Sequence, residues 1–80
     1  MATPDYTEKQ GQYLAFIFMY TKVNGRPPAV SDIARFFEVT PPSAQRMVDT
    51  LTRKKLVQRK RGAPRSLRVL LNPDELPVLR

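Results

Sequence analysis

The middle of the chain carries a group of side chains that can contact the edges of nucleic-acid bases, most of them through hydrogen bonds. The group consists of Thr40, Pro42, Ser43, Gln45 and Arg46. A glutamine amide can bind adenine through paired hydrogen bonds, and an arginine guanidinium can bind guanine in the same way. Hydroxyls reach bases or phosphates, whereas proline offers only apolar contact. These residue types predict base reading, provided that one element presents the side chains together.

Positive charge is concentrated in the second half of the chain. The 80 residues carry a formal net charge of +7, with an isoelectric point near 10.4. Acids and bases cancel over residues 1–39, so the excess lies in residues 40–71, where Asp49 is the only acid. Lysine and arginine neutralise phosphates and thereby supply affinity with little sequence information. The cations expected to do so are Arg53, Lys54, Arg59, Lys60, Arg61, Arg65 and Arg68.

Composition excludes several classes of function. The sequence has no cysteine and no histidine, which removes thiol nucleophiles, imidazole bases and the strongest zinc ligands. A chain of this length forms one small domain, too small for a large enclosed substrate pocket. We therefore expect no enzymatic activity, no metal, no cofactor and no small-molecule substrate.

The N-terminal segment and the longest apolar run indicate where the chain works. The first residues lack the charged and apolar segments of a signal peptide. The longest apolar run, residues 13–20, is too short to cross a bilayer. We therefore expect a cytoplasmic protein with no membrane contact.

Three helices are predicted from apolar periodicity and from the residues that begin and end helices. Thr7 is a good N-cap, and the first helix runs from it to residue 23, before an Asn-Gly pair. The second helix covers residues 30–37. After a turn of three residues, Thr40 caps the third helix, which begins with a proline and runs to residue 54.

A hairpin follows the helices. We expect a short strand at 56–60 and, from apolar residues alternating at period two, a second strand at 66–71, joined by a basic turn. The two prolines after Arg26 favour extended backbone, so we also expect a short extra strand beginning there. The fold class is α+β, mostly α: a winged helix-turn-helix of three helices and a two-stranded wing. We assign residues 1–6 to a disordered lead, 7–71 to this domain and 72–80 to a tail.

This order of elements indicates how the candidate residues work together. In a winged helix-turn-helix the third helix enters the major groove of double-stranded DNA, and the wing lies on the backbone. We therefore expect sequence-specific DNA binding by a repressor-like transcriptional regulator. Two alternatives remain open. A protein–protein interaction module would have a large apolar patch on the third helix, and an RNA-binding domain would use exposed aromatic residues.

The chain resembles the N-terminal DNA-binding domain of the LexA repressor family over residues 6–71. Two segments are fairly specific: Gly-Arg-Pro-Pro at 25–28 and Gly-Ala-Pro-Arg-Ser-Leu-Arg-Val-Leu at 62–70. Further matching segments are 6–10, 32–34, 40–44 and 51–54. The resemblance implies major-groove binding through the base-reading residues named above. The family's self-cleaving Ser-Lys domain has no counterpart in these 80 residues.

Departures from the family pattern fall at the turns and in the third helix. The family's turn glycines are Glu38 and Lys55 here, and each would cost about 1 kcal/mol at positive φ. Pro42 replaces the family's asparagine, and Gln45 and Arg46 replace two acids. Because almost no base-reading group is retained, the resemblance does not carry over a target sequence.

The first helix has an apolar surface opposite its core side, formed by Gly11, Ala15, Phe18 and Met19. Three states are open for this patch. It is the contact of a weak homodimer, it is covered by the tail through Leu76, Val78 and Leu79, or it is exposed.

Overall fold

The computed structural model describes residues 6–80 and contains three helices followed by a two-stranded antiparallel hairpin. This confirms the winged helix-turn-helix fold. The elements are α1 (Glu8–Asn24), α2 (Val30–Phe37), α3 (Pro41–Arg53), β1 (Val57–Gln58), β2 (Arg68–Val69) and a short 3-10 turn (Pro73–Glu75). Residues 1–5 of the predicted lead lie outside the described residues.

The ends of α1 are set by local hydrogen bonds. The Thr7 hydroxyl accepts the Gln10 backbone N–H at 3.1 Å, and the Gln10 side chain accepts the Thr7 N–H at 3.0 Å. This reciprocal cap satisfies two donors at the start of the helix. Gly25 ends the helix at φ 74°, a conformation that suits a residue without a Cβ.

The turn between α2 and α3 is tight. The Asp32 carboxylate accepts the Ala29 N–H at 2.8 Å and so caps α2. Glu38 ends that helix at φ 55°, and Thr40 caps α3, with Pro41 in the first position. Lys55 follows α3 at φ 61°. Both family glycine positions therefore hold side-chain-bearing residues in the left-handed conformation.

The core joins all three helices to the hairpin. Tyr13 of α1 stacks on Phe37 of α2, with ring centroids 4.2 Å apart and planes within 2°. In the apolar stripe of α3, Ala44, Val48 and Leu51 each have 0% exposure, and Met47 is partly buried against the core. The remaining core residues are Leu14, Phe16, Ile17, Ile33, Ala34, Leu56, Val57 and Leu67.

The hairpin is shorter than the alternating pattern predicts. Only Val57 pairs with Val69 and Gln58 with Arg68, so the strands do not extend over 56–60 and 66–71. The expected extra strand was wrong, because Arg26 lies in a bend in the structure. The following residues, Pro27 and Pro28, have no backbone N–H to donate to a neighbouring strand.

The tail packs along α1. The Tyr6 hydroxyl donates to the Glu75 carbonyl at 2.8 Å, so Tyr6 contacts the fold. The Gln12 side chain donates to the Val78 carbonyl at 2.9 Å and accepts the Arg80 backbone N–H at 2.8 Å. Gly11 is buried, and a Cβ there would lie 2.7 Å from the Tyr6 ring and 3.0 Å from Pro77. The close contact of α1 with Tyr6 and with Pro77 of the tail therefore depends on this glycine.

The patch predicted on α1 lies under and beside this tail. Gly11 and Ala15 are buried, Phe18 is half-buried, and Met19 is 42% exposed. An open cleft remains beside the tail, lined by Ala15, Phe18, Met19, Pro73, Leu76, Pro77, Val78 and Leu79. Within residues 6–80, no helix combines the length and the apolar character needed to cross a membrane.

Candidate nucleic-acid interface

The first turn of α3 brings three of the predicted base-reading side chains together. The Thr40 hydroxyl accepts the Ser43 backbone N–H at 3.3 Å and donates to the Ser43 hydroxyl at 3.0 Å. The Arg46 guanidinium lies 3.5 Å from that hydroxyl, one helical turn further on. Thr40 and Arg46 are exposed, as is Pro42 beside them. The hydrogen bonds of the Thr40 cap therefore hold the Thr40, Ser43 and Arg46 side chains close together, and the start of α3 presents them as one surface.

Gln45 lies on the side of α3 that faces the wing. Its side-chain nitrogen donates to Asp49 Oδ1 at 2.9 Å. The guanidinium of Arg59, which follows β1, lies 4.0 Å from the same oxygen. Asp49 therefore hydrogen-bonds Gln45 on its own helix and lies near a cation of the wing.

An open cleft of about 440 Å³ separates α3 from the wing. Gln45 lines it from α3, and Arg59 and Lys60 line it from the hairpin. The remaining lining residues are Ala29, Val30, Gly62, Ala63, Pro64, Ser66 and Leu67. The cleft thus lies between a polar helix face and two cations.

The tip of the wing is held by one hydroxyl. Ser66 Oγ accepts the Lys60 N–H at 2.8 Å and lies within 2.8 Å of the Ala63 carbonyl and 3.1 Å of the Lys60 carbonyl. Gly62 turns the chain at φ 78°. Arg61 is exposed at this tip. The bonds of Ser66 fix the backbone from which the Lys60 and Arg61 side chains extend.

Arg65 is anchored to the body of the domain. Its guanidinium pairs with the Asp32 carboxylate at 2.9 Å and donates to the Pro27 carbonyl at 3.3 Å. It also lies 3.5 Å from the Tyr20 hydroxyl. The Tyr20 hydrogen bond and the Asp32 charge raise the pKa of Arg65. The pKa of Asp32 lies below its ordinary value, mainly because its carboxylate accepts the Ala29 N–H and to a smaller extent because Arg65 is beside it.

The other predicted phosphate-binding residues also fall into two groups, those that bind a distant part of the chain and those that are exposed. The Lys54 ammonium donates to the Gln10 side chain at 2.9 Å and is half-buried beside the start of α1. Arg53 is exposed, although it donates to the Thr50 hydroxyl at 3.2 Å. Arg68 is exposed on β2, and with Arg59 and Lys60 it lines a shallow basic cleft on the wing. The structure therefore places Lys54 and Arg65 in contacts within the chain, and the wing carries most of the remaining cations.

Sequence reasoning missed the part that Asp49 plays. The one usable signal is its position four residues after Gln45, since side chains at that spacing meet on a helix. The contact between Asp49 and Arg59 has no such local signal. The cleft wall formed by Ala29 and Val30 also has no local signal, because the cleft exists only where the wing approaches these residues.

The model of the LexA DNA binding domain family matches residues 3–66. The chain belongs to this family. It is 45% identical over 65 residues to the LexA repressor of Thermotoga neapolitana, which covers 81% of the chain and 33% of that protein. It is 35% identical over 77 residues to the LexA repressor of Pseudothermotoga lettingae, covering 94% of the chain and 38% of the relative.

A further relative, the LexA repressor of Thermosipho africanus, is 31% identical over 74 residues, covering 92% of the chain and 37% of the relative. The chain spans about a third of the length of the curated relatives it matches. The family match covers α1, α2, α3 and β1 and ends before β2. It therefore identifies a DNA-binding domain with the fold described above.

Proposed function

We propose that the domain binds double-stranded DNA sequence-specifically, with α3 in the major groove and the wing on the phosphate backbone. The observation that carries this proposal is the arrangement of α3 and the wing. Thr40, Ser43 and Arg46 form one polar surface at the start of α3, and the wing cations face Gln45 across a cleft. The major groove is wide enough to admit a helix that presents such a surface.

The proposed roles follow from chemistry and position. Gln45 and Arg46 read bases, because each can form paired hydrogen bonds to a purine. Thr40 and Ser43 add single hydrogen bonds, and Pro42 makes apolar contact. The phosphate contacts come from Arg53 and from the exposed wing cations, which are Arg59, Lys60, Arg61 and Arg68.

The character of α3 favours DNA over a protein partner. The apolar residues Ala44, Val48 and Leu51 are buried in the core and are not available to a partner. The exposed residues of the helix include Arg46, Asp49 and Arg53 rather than a large apolar patch. RNA recognition would use exposed aromatic residues on the binding surface. All the aromatic residues precede α3 in the sequence, and two of them, Tyr13 and Phe37, stack on each other.

Repression is the most direct regulatory outcome of such binding. The curated relatives are named LexA repressors. We infer that this domain supplies the operator contact of a repressor of the same kind.

The proposal is tested by selecting bound sequences from a random pool of duplexes. We expect a defined motif for the unaltered chain. Gln45→Ala and Arg46→Ala should each reduce discrimination at one or two base pairs, by about 1–3 kcal/mol. A pool that yields no enriched duplex would contradict specific binding. Equal losses on selected and random duplexes would assign these two residues to phosphate.

A further inference from the structure

Asp49 is the only acidic residue between Glu38 and Asp74. It lies on α3 with 53% of its side chain exposed, on the face that carries Gln45. A carboxylate among phosphate-binding cations repels DNA, since both carry negative charge. Asp49 therefore does not contribute to affinity for the phosphate backbone.

The contact with Gln45 determines which way the amide points. A carboxylate only accepts hydrogen bonds, so only the nitrogen end of the amide can bind it. With Nε2 held 2.9 Å from Asp49 Oδ1, the Gln45 oxygen points elsewhere and remains free to accept. One N–H of the same nitrogen is also left free, because an amide nitrogen carries two.

The Asp49 carboxylate also has a cation of the wing near it. The Arg59 guanidinium lies 4.0 Å from the oxygen that Gln45 uses. Both side chains are about half exposed, so this charge pair is weak and adds little to the position of the carboxylate. The hydrogen bond between Asp49 and Gln45 is therefore the contact that orients the amide.

We propose that Asp49 is a positioning residue that orients the Gln45 amide to read adenine in an A·T base pair. The inference rests on the proposed function. Adenine presents an acceptor and a donor side by side in the major groove, which match one free N–H and one free oxygen of an oriented amide. Guanine presents two acceptors, so the Gln45 oxygen would meet an acceptor of the same polarity. Asp49 thus decides specificity without touching the base.

The experiment uses the whole 80-residue chain and four variants: Gln45→Ala, Asp49→Ala, Asp49→Asn and Asp74→Asn. Selection from a random duplex pool finds the base pair whose preference disappears in Gln45→Ala. Affinities are then measured at one salt concentration for the four duplexes that differ at that pair. For the unaltered chain we expect a preference for A·T of about 5- to 150-fold.

Both Asp49 variants should lose most of this preference and keep the preferences at other positions. An asparagine can donate to the Gln45 oxygen as well as accept from its nitrogen, so Asp49→Asn no longer fixes one orientation. Asp74→Asn is the matched control, since it removes the same charge from an exposed residue of the 3-10 turn. We expect it to retain the full A·T preference.

Three results would overturn the positioning role. They are an undiminished preference in both Asp49 variants, a Gln45-dependent preference for a pair other than A·T, or no Gln45-dependent preference at all. Loss of a G·C preference on changing Asp49 alone would show that the carboxylate itself binds cytosine. Failure of the unaltered chain to bind any duplex would instead reject the proposed function.

A second measurement does not involve DNA. In the free protein, the NMR signals of the Gln45 side-chain NH₂ should shift in Asp49→Ala and stay in place in Asp74→Asn. Unchanged signals in Asp49→Ala would mean that the hydrogen bond does not form, and the proposal would be rejected.

Discussion

At the scale of single residues, two side chains occupy backbone conformations that favour glycine. Glu38 has φ 55° and Lys55 has φ 61°. Each lies where a helix must end quickly, after α2 and after α3. A Cβ in this region contacts the neighbouring carbonyl oxygen, which costs about 1–2 kcal/mol. The turns are kept in place by the core residues on either side of them.

Replacing Lys55 with glycine should stabilise the domain. The relief of strain exceeds the extra chain entropy that glycine loses on folding, so we expect a gain of about 0.5–1 kcal/mol. Urea denaturation followed by circular dichroism measures it. Lys55→Ala is the control, because it removes the same charge but keeps a Cβ. Equal stability of the two variants would mean that the backbone at residue 55 is not strained.

Asp32 should make stability depend on pH in the acidic range. Its pKa is lowered by the Ala29 N–H and by Arg65, so the folded state favours the charged form. This stabilisation is complete above its ordinary pKa of about 4 and is lost as the pH falls through the lower folded value. The unfolding free energy of the wild type should therefore exceed that of Asp32→Asn near neutral pH.

The difference between wild type and Asp32→Asn should shrink as the pH falls below about 4. Urea denaturation at several pH values measures it. Because Glu8 also has a lowered pKa, through Arg80, the comparison with Asp32→Asn is needed to isolate Asp32. A difference that stays constant down to the most acidic condition would show that the Asp32 charge contributes nothing.

At the scale of elements, the turn of the wing combines one anchored arginine with one exposed arginine. Arg65 connects it to Asp32 and to the Pro27 carbonyl, whereas Arg61 is exposed at the tip. Two arginines four residues apart therefore serve different purposes. One sets where the wing lies, and the other is available to phosphate.

Alanine at Arg61 and at Arg65 should separate these purposes. Arg61→Ala should leave the melting temperature unchanged and reduce the salt dependence of DNA binding by about 0.9 units of slope, the value of one phosphate contact. Arg65→Ala should lower the melting temperature, because the Asp32 carboxylate loses its partner. Affinity measured from low to moderate salt, with thermal melting of each variant, tests both. The same melting temperature for the two variants would contradict the anchoring role of Arg65.

At the scale of the whole molecule, the tail covers part of the apolar surface that a second copy would need. Residues 76–79 lie beside Phe18 and Met19, and Gly11 is buried against Tyr6 and Pro77. Of the three states considered for this patch, the structure has the tail in place. A homodimer through Gly11 would require the tail to leave α1.

Phe18→Glu should destabilise the domain without changing its mass in solution. The half-buried Phe18 ring lines the open cleft beside the tail, and a carboxylate there would replace its apolar contacts and be partly desolvated, which costs free energy. Val23→Glu is the matched control, because Val23 lies on the same helix and is 74% exposed. Thermal melting and sedimentation velocity measure the two properties. A shift of the wild type from dimer to monomer on changing Phe18 would instead support the homodimer.

The sequence by itself determined the helices, the fold class and the basic half. Helix ends follow from caps within three or four residues, such as Thr7 with Gln10 and Thr40 with Ser43, and such contacts form without any distant partner. The apolar stripe of α3 likewise follows from helical periodicity alone. Thr40, Ser43 and Arg46 lie together because they share the start of one helix, whereas Gln45 faces the wing.

Tertiary structure decided the features that depend on distant partners. Lys54 binds a side chain 44 residues away, and Arg65 binds one 33 residues away. Both residues are cations, which the sequence predicts to bind phosphate. No pattern among their neighbours in the sequence indicates these distant partners. The length of the hairpin and the cover on α1 were also decided by packing. In each case the sequence supplies the chemical group, and the approach of another element determines which partner it meets.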